Sequence, residues 1–177
     1  LMVDHLGRLV DCDQLLYIIA RARQQQGTLV GPVVGTVMSN LGLEHALAKE
    51  GIRFERAKVG DRYVLEKLRQ TGGVLGGETS GHLLCLDRTT TGDALISALQ
   101  VLAIMKQTGC SLAELAAPMR KYPQVLENVR VARKIDPDSS PAIRDAVAEA
   151  ERRLGDAGRI VLRASGTEPV IRVMVEG

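Results

Sequence analysis

Between Asp11 and Gly109 the chain repeats one punctuation: a short polar residue opens a helical stretch, glycine closes it, and a brief apolar run precedes the next opening. This constrains the fold most, because strands that alternate with helices pair in parallel with the helices as crossovers. Asp11 with Gln14 three residues on forms a variant capping box. Leu15, Ile18, Ile19 and Ala22 then share one face at helical spacing, up to Gly27. The unbroken apolar run 32–37 reads as a buried strand, and 41–50 as a helix closed by Gly51. Residues 53–57 read as a strand, Asp61 as the cap of a helix over 61–70, and Gly72-Gly73 as its break. Short strands follow at 74–76 and 83–86. A longer helix starts at Asp93, with Leu95, Ala98, Leu99 and Leu102 expected on its core face. Gly109 stops it, and Ser111 with Glu114 makes a second capping box.

Beyond the linker bracketed by Pro118 and Pro123 the order becomes strand, helix, strand, strand. The first strand is expected over 125–133. Ser140 should cap the helix with Pro141 at its first position, Ile143, Val147, Ala150 and Leu154 should be its buried stripe, and Gly155 should end it. Runs 159–162 and 170–175 supply the remaining strands. The opening decapeptide reads as a hairpin turning at 5–8. The expected fold class is therefore α/β. A mixed, mostly parallel α/β/α domain spans 13–117, a linker 118–124, and a small α+β domain 125–177. Residues 1–12 read as the remnant of a preceding domain. A chain that opens on Leu1 and stops directly after a strand reads as a piece excised from a longer protein.

With 45% apolar residues but one Phe, three Tyr and no Trp, the core must be built from aliphatic side chains. That excludes base-stacking platforms. A net charge of +2 with interspersed signs argues against nucleic-acid and membrane partners. Cys12, Cys85 and Cys110 are odd in number and far apart, as expected of reduced thiols. No run reaches the roughly 18 apolar residues of a membrane span, so a cytoplasmic location is expected.

Two loops carry the chemistry. Arg163-Ala164-Ser165-Gly166-Thr167-Glu168-Pro169 joins two strands, and Arg172 follows. Backbone N–H groups and hydroxyls at the tip, flanked by guanidinium forks, suit a phosphate dianion. A hairpin turn with solvated arginines is the plainer alternative. Ile171, Val173 and Val175 share one strand face, so Arg172 should project from the other, towards solvent or a ligand. The second loop, Gly76-Gly77-Glu78-Thr79-Ser80-Gly81-His82, places a carboxylate beside a hydroxyl. That pair can accept from and donate to a vicinal diol, although a Gly-rich turn accounts for it as well. Lys58 ends a strand, where α/β sheets present ligand-binding groups. His82 is equally consistent with a structural role and with substrate contact. Arg62 should face solvent, as should His5 and His45. Asp11-Cys12-Asp13 reads as helix capping rather than a metal site.

These loops, with Lys58-Val59-Gly60-Asp61-Arg62-Tyr63, Thr36-Val37-Met38-Ser39-Asn40 and Thr89-Thr90-Thr91-Gly92-Asp93, resemble the bacterial phosphoglucosamine mutases of the α-D-phosphohexomutase superfamily over nearly the whole chain. The resemblance implies an isomerase of amino-sugar metabolism, feeding peptidoglycan precursor synthesis. It would interconvert glucosamine 6-phosphate and glucosamine 1-phosphate through a phosphoserine and a 1,6-bisphosphate. By that resemblance Arg163, Ser165, Gly166, Thr167 and Arg172 grip the phosphate. Glu78, Ser80 and Lys58 hold the sugar, with Lys58 and His82 as auxiliary catalytic groups. The family's phosphoserine and its D-x-D-x-D-R magnesium loop have no counterpart here. The resemblance thus implies Mg2+ for the intact enzyme, no metal on this chain, and an inactive fragment lacking the last helix of its final domain. The only partner implied is a phosphosugar, and a homodimeric intact enzyme is allowed. A phosphomannomutase or phosphoglucomutase, or a non-catalytic phosphosugar-binding module, are the alternatives.

Overall fold

The computed structural model describes residues 1–165 and 168–177, with Asp138 described by its backbone alone. Contacts divide the chain into two compact units, Leu1–Lys121 and Tyr122–Gly177.

The first unit opens on an antiparallel hairpin, β1 (Met2–Val3) and β2 (Leu9–Val10). The buried Asp4 closes its turn, accepting from the amides of Leu6 and Arg8 and pairing with the Arg8 guanidinium. Helix α1 (Cys12–Gln25) starts at Asp11 with the full reciprocal capping box. There follow β3 (Val33–Thr36), α2 (Leu41–Lys49), β4 (Phe54–Ala57), α3 (Asp61–Thr71), β5 (Leu75–Gly77), β6 (Leu83–Cys85), α4 (Ala94–Thr108) and α5 (Leu112–Ala116). The sheet order is β4-β3-β5-β6, parallel except for the antiparallel edge strand β6.

Period-two alternation splits the sheet's side chains between two cores. Val33, Leu75, Leu83 and Cys85 pack with α1, α2, α4 and α5, whereas Val34, Ala57 and Leu84 pack under Val64 and Leu68 of α3. Ten of the fourteen residues of α1 are buried, including Leu16, Tyr17 and Ile19. A helix apolar on most of its faces belongs in the interior, and each such aliphatic side chain contributes about 1.5–3 kcal/mol by leaving water.

The second unit contains β7 (Gln124–Arg130), α6 (Pro141–Leu154), β8 (Arg159–Ala164) and β9 (Val170–Glu176), with short 3-10 turns at Pro137–Ser139 and Gly155–Ala157. Its antiparallel sheet runs β7-β9-β8, with the last strand in the centre.

Several local expectations are corrected. Leu95, Leu99 and Leu102 of α4 are 77%, 61% and 47% exposed and Ala98 is half-buried, while Ser97, Val101 and Ile104 face the core. The helix is apolar around most of its circumference, so spacing alone selects no face. Asp93, capping the amides of Leu95 and Ile96, is where its phase is set. Asp61 is not the cap of α3: Gly60 holds that position, with φ +129°, and Asp61 lies in the first turn. Ser140 sits at the N-cap of α6 with Pro141 after it, but its hydroxyl makes no capping bond. Ile143, Val147, Ala150 and Leu154 do share the inward face of α6, yet they are half-buried rather than buried. Strand β7 ends at Arg130 and is exposed along its whole length.

Candidate functional site

Three loops leave the carboxyl ends of the parallel strands β3, β4 and β5, where open α/β sheets bind ligands. The β5–β6 loop is a tight turn: Glu78 N–H donates to His82 O at 2.9 Å and Gly81 N–H to Glu78 O at 3.0 Å. Gly81, at φ +118°, takes a conformation that a side chain would resist. The buried Glu78 carboxylate accepts the Gly60 N–H at 2.7 Å, which ties this loop to the one carrying Lys58. Gly60, at the N-cap of α3, makes this bond with φ +129°, a conformation that a side chain would resist. Oε2 of Glu78 makes no hydrogen bond among the described residues, so it remains an acceptor. Ser80 and His82 on the same loop, and Lys58 on the Gly60 loop, are exposed. The plain backbone carbonyl of His82, rather than its ring, does the structural work, accepting from Glu78 and from the Cys12 thiol.

The third loop, 37–40, is held from two sides. The Arg56 guanidinium donates to Thr36 O and Ser39 O at 2.9 and 2.7 Å, is paired with Glu44, and lies over the Phe54 ring. From the other side Asp13 Oδ2 accepts the Asn40 N–H at 2.8 Å. Asp11 caps α1, as the reading of Asp11-Cys12-Asp13 as helix capping expects, while Asp13 in the first turn makes the Asn40 contact. Burial pushes the Asp13 carboxyl up to about 6, and the Cys12 thiol beside it to about 12, so Cys12 is no nucleophile. Sequence reasoning missed Asp13, Asn40, Gly60 and Arg56, because their partners lie far away along the chain.

In the second unit Arg163 and Arg172 are directly paired across β8 and β9, and Asn128 of β7 stands opposite Arg172 on its other side. Cross-strand partners share a sheet face, and like charges directly opposite destabilise a sheet unless an anion lies between them. Arg163 Nε is buried and has no hydrogen-bond partner among the described residues. Arg172 is half-buried and its face is not simply solvent-facing: Met174 and Glu176 on that face are both buried, and Glu176 pairs with Arg159 and Gln124. Ser165, also buried, anchors the loop base, its N–H on Val170 O at 2.8 Å and its Oγ accepting from Glu168 N–H. Gly166 and Thr167 lie outside the described residues. Among the described residues no group of three or more His, Cys, Asp or Glu is placed to hold a metal ion. Likewise no helix among them is long and apolar enough to cross a membrane.

Two family models match the chain: phosphoglucomutase/phosphomannomutase, alpha/beta/alpha domain III, over residues 11–122, and the C-terminal domain of the same family over 126–177. The phosphoglucosamine mutases of Alkalilimnicola ehrlichii and Nitrosococcus oceani are 60% and 62% identical over all 177 residues. The chain spans only 39% of the length of each. Among solved structures, Aspergillus fumigatus N-acetylphosphoglucosamine mutase in complex with GlcNAc-6P and magnesium superposes with a TM-score of 0.82 at 20% identity, over 99% of this chain and 45% of that one. A substituted form of the fungal enzyme, in complex with glucose 1,6-bisphosphate, superposes with a TM-score of 0.76 at 22% identity, over 99% and 42%. At these identities the two likenesses show the fold.

Proposed function

Because the chain belongs to the phosphoglucomutase/phosphomannomutase family, of which it carries the alpha/beta/alpha domain III and the C-terminal domain, we propose that it is the substrate-binding part of a phosphoglucosamine mutase. The observation that carries this is the Arg163–Arg172 pair, two guanidinium groups on one sheet face with a buried Nε that has no partner among the described residues. An orphaned buried donor is costly, and a phosphate satisfies it while neutralising the repulsion between the two cations. In this reading Ser165, Gly166 and Thr167 complete the phosphate cradle. Glu78 Oε2 and the Ser80 hydroxyl take adjacent sugar hydroxyls, and Lys58 and His82 stand at the rim of the same loops.

The parent enzyme interconverts glucosamine 6-phosphate and glucosamine 1-phosphate. A phosphoserine gives its phosphoryl group to the sugar's free O1 or O6, forming the 1,6-bisphosphate, and the serine oxygen then takes back the phosphoryl from the other end. Through both halves of the cycle this chain's residues bind and orient the sugar and hold the phosphate that is not in transfer. Such contacts must accept either end of the sugar. In this reading the metal and the phosphoserine are supplied by the rest of the intact enzyme. The proposed domains follow the expected limits, a sugar-binding domain at 13–117 and a phosphate-binding domain at 125–177, in a cytoplasmic enzyme whose partner is a phosphosugar.

The test is kinetic. In the full-length protein Arg163→Ala with Arg172→Ala should lower kcat/KM for glucosamine 6-phosphate at least a hundredfold, the cost of losing two charge-assisted contacts of about 1.5–3 kcal/mol each. The 177-residue chain alone should show no turnover. An unaltered kcat/KM, or turnover by the chain alone, contradicts the proposal. The family also contains glucose and mannose enzymes, so rates on all three sugar phosphates should be compared, glucosamine being fastest.

A further inference from the structure

The phosphosugar reading leaves unexplained why a carboxylate that caps no helix is buried at the start of α1. Asp13 is 1% exposed. One of its oxygens accepts the Asn40 N–H, 27 residues away, at 2.8 Å. The Thr79 hydroxyl, 66 residues away, lies 3.5 and 3.4 Å from its two oxygens and 3.4 Å from Met38 O. A single side chain thus touches the loop that follows β3 and the loop that carries Glu78 and Ser80. Neither loop has a backbone hydrogen bond to the other among the described residues, and Asp13 with Thr79 forms a polar link between them. Glu78 is in turn bonded to Gly60, which extends the link to the third loop.

We infer that Asp13 is a positioning residue, setting the Glu78 loop against the 37–40 loop and so fixing where the sugar-binding carboxylate points. Asp13 touches no sugar itself. Its charged neighbours are Asp11 on its own segment and Lys121 from the segment after α5. An apolar residue at this position would pack the start of α1 as well and would avoid burying a charge. The carboxylate is explained by the two loops it joins. This role rests on the sugar reading of Glu78.

Amide hydrogen exchange on the 177-residue chain separates the two claims. In Asp13→Ala the Asn40, Glu78 and Gly81 amides should exchange at least tenfold faster, while amides of β3 and of the α1 centre keep their rates. Asp13→Asn, which retains an acceptor, should restore Asn40. Thr79→Val should speed Glu78 and Gly81 and leave Asn40 alone. Unchanged loop exchange in Asp13→Ala overturns the inference, as does an equal rise at every amide of the unit, the mark of general destabilisation. Binding of glucosamine 6-phosphate should weaken about tenfold in Asp13→Ala, because the Glu78 carboxylate is then no longer held where its own charge-assisted hydrogen bond to the sugar can form. If the loops loosen but neither Asp13→Ala nor Glu78→Ala alters binding, the sugar reading is what falls.

Discussion

Burial raises the Asp13 carboxyl from an ordinary value of 3.8 to about 6; the Asn40 N–H and Lys121 oppose the shift and Asp11 adds to it. A carboxyl whose folded value lies above its unfolded one stabilises the fold fully below the unfolded value and loses that contribution as pH rises through the folded one. Ionising Asp13 in place therefore costs the fold up to about 3 kcal/mol between acidic and neutral pH. Thermal unfolding should show it. Between pH 4 and pH 7 the wild-type midpoint should fall relative to Asp13→Asn, and parallel profiles would contradict the assignment. Glu78 lies at the same scale. Glu78→Gln exchanges a charged acceptor for a neutral one at Gly60 N–H and at Oε2, and should weaken glucosamine 6-phosphate binding about tenfold, measured by calorimetry. The Glu78 loop stood out in the sequence because its glycines and hydroxyls are neighbours. Asp13 was not legible, since its role depends on contacts across 27 and 66 residues and its position beside Asp11 mimics a cap.

Element by element, the helices and strands followed from their punctuation because caps and glycine stops act locally. The face that a uniformly apolar helix turns inward does not follow from local signals. In α4, Val101 is fully buried and Leu99 is 61% exposed, although both are aliphatic and lie two residues apart. Val101→Ala should cost about 1–3 kcal/mol, whereas Leu99→Gln should stay within about 0.5 kcal/mol. Equal losses in denaturant unfolding would mean that the helix is rotated from the orientation described. The start of α3 offers a second check. Gly60 combines φ +129° with an added Cβ only 3.1 Å from the Tyr63 ring. Gly60→Ala should destabilise by about 1–3 kcal/mol and draw the amide away from Glu78, with a matching loss of sugar affinity.

Across the molecule the two units differ in how much they bury. Leu1–Lys121 encloses α1 almost completely, whereas in Tyr122–Gly177 no residue of α6 is buried and β7 is exposed throughout. A unit of that size buries a small fraction of its surface and is marginal alone. In native-state hydrogen exchange the β9 amides should open at lower denaturant than those of α1; a common opening would show one cooperative structure. The change of grammar after Pro118 and Pro123 is the signal on which the sequence divides the chain. The extent of burial in the second was not, because apolar spacing reports which face turns inward and not how much sheet there is to cover it.

The central claim is that this chain carries a phosphosugar site whose phosphate is held by Arg163 and Arg172. The most direct test is calorimetric titration of the 177-residue chain with glucosamine 6-phosphate, beside the Arg163→Ala, Arg172→Ala double variant. Measurable binding by the wild-type chain, abolished in the variant, is the predicted result. Binding of equal strength in both, or none in the wild type, would contradict it.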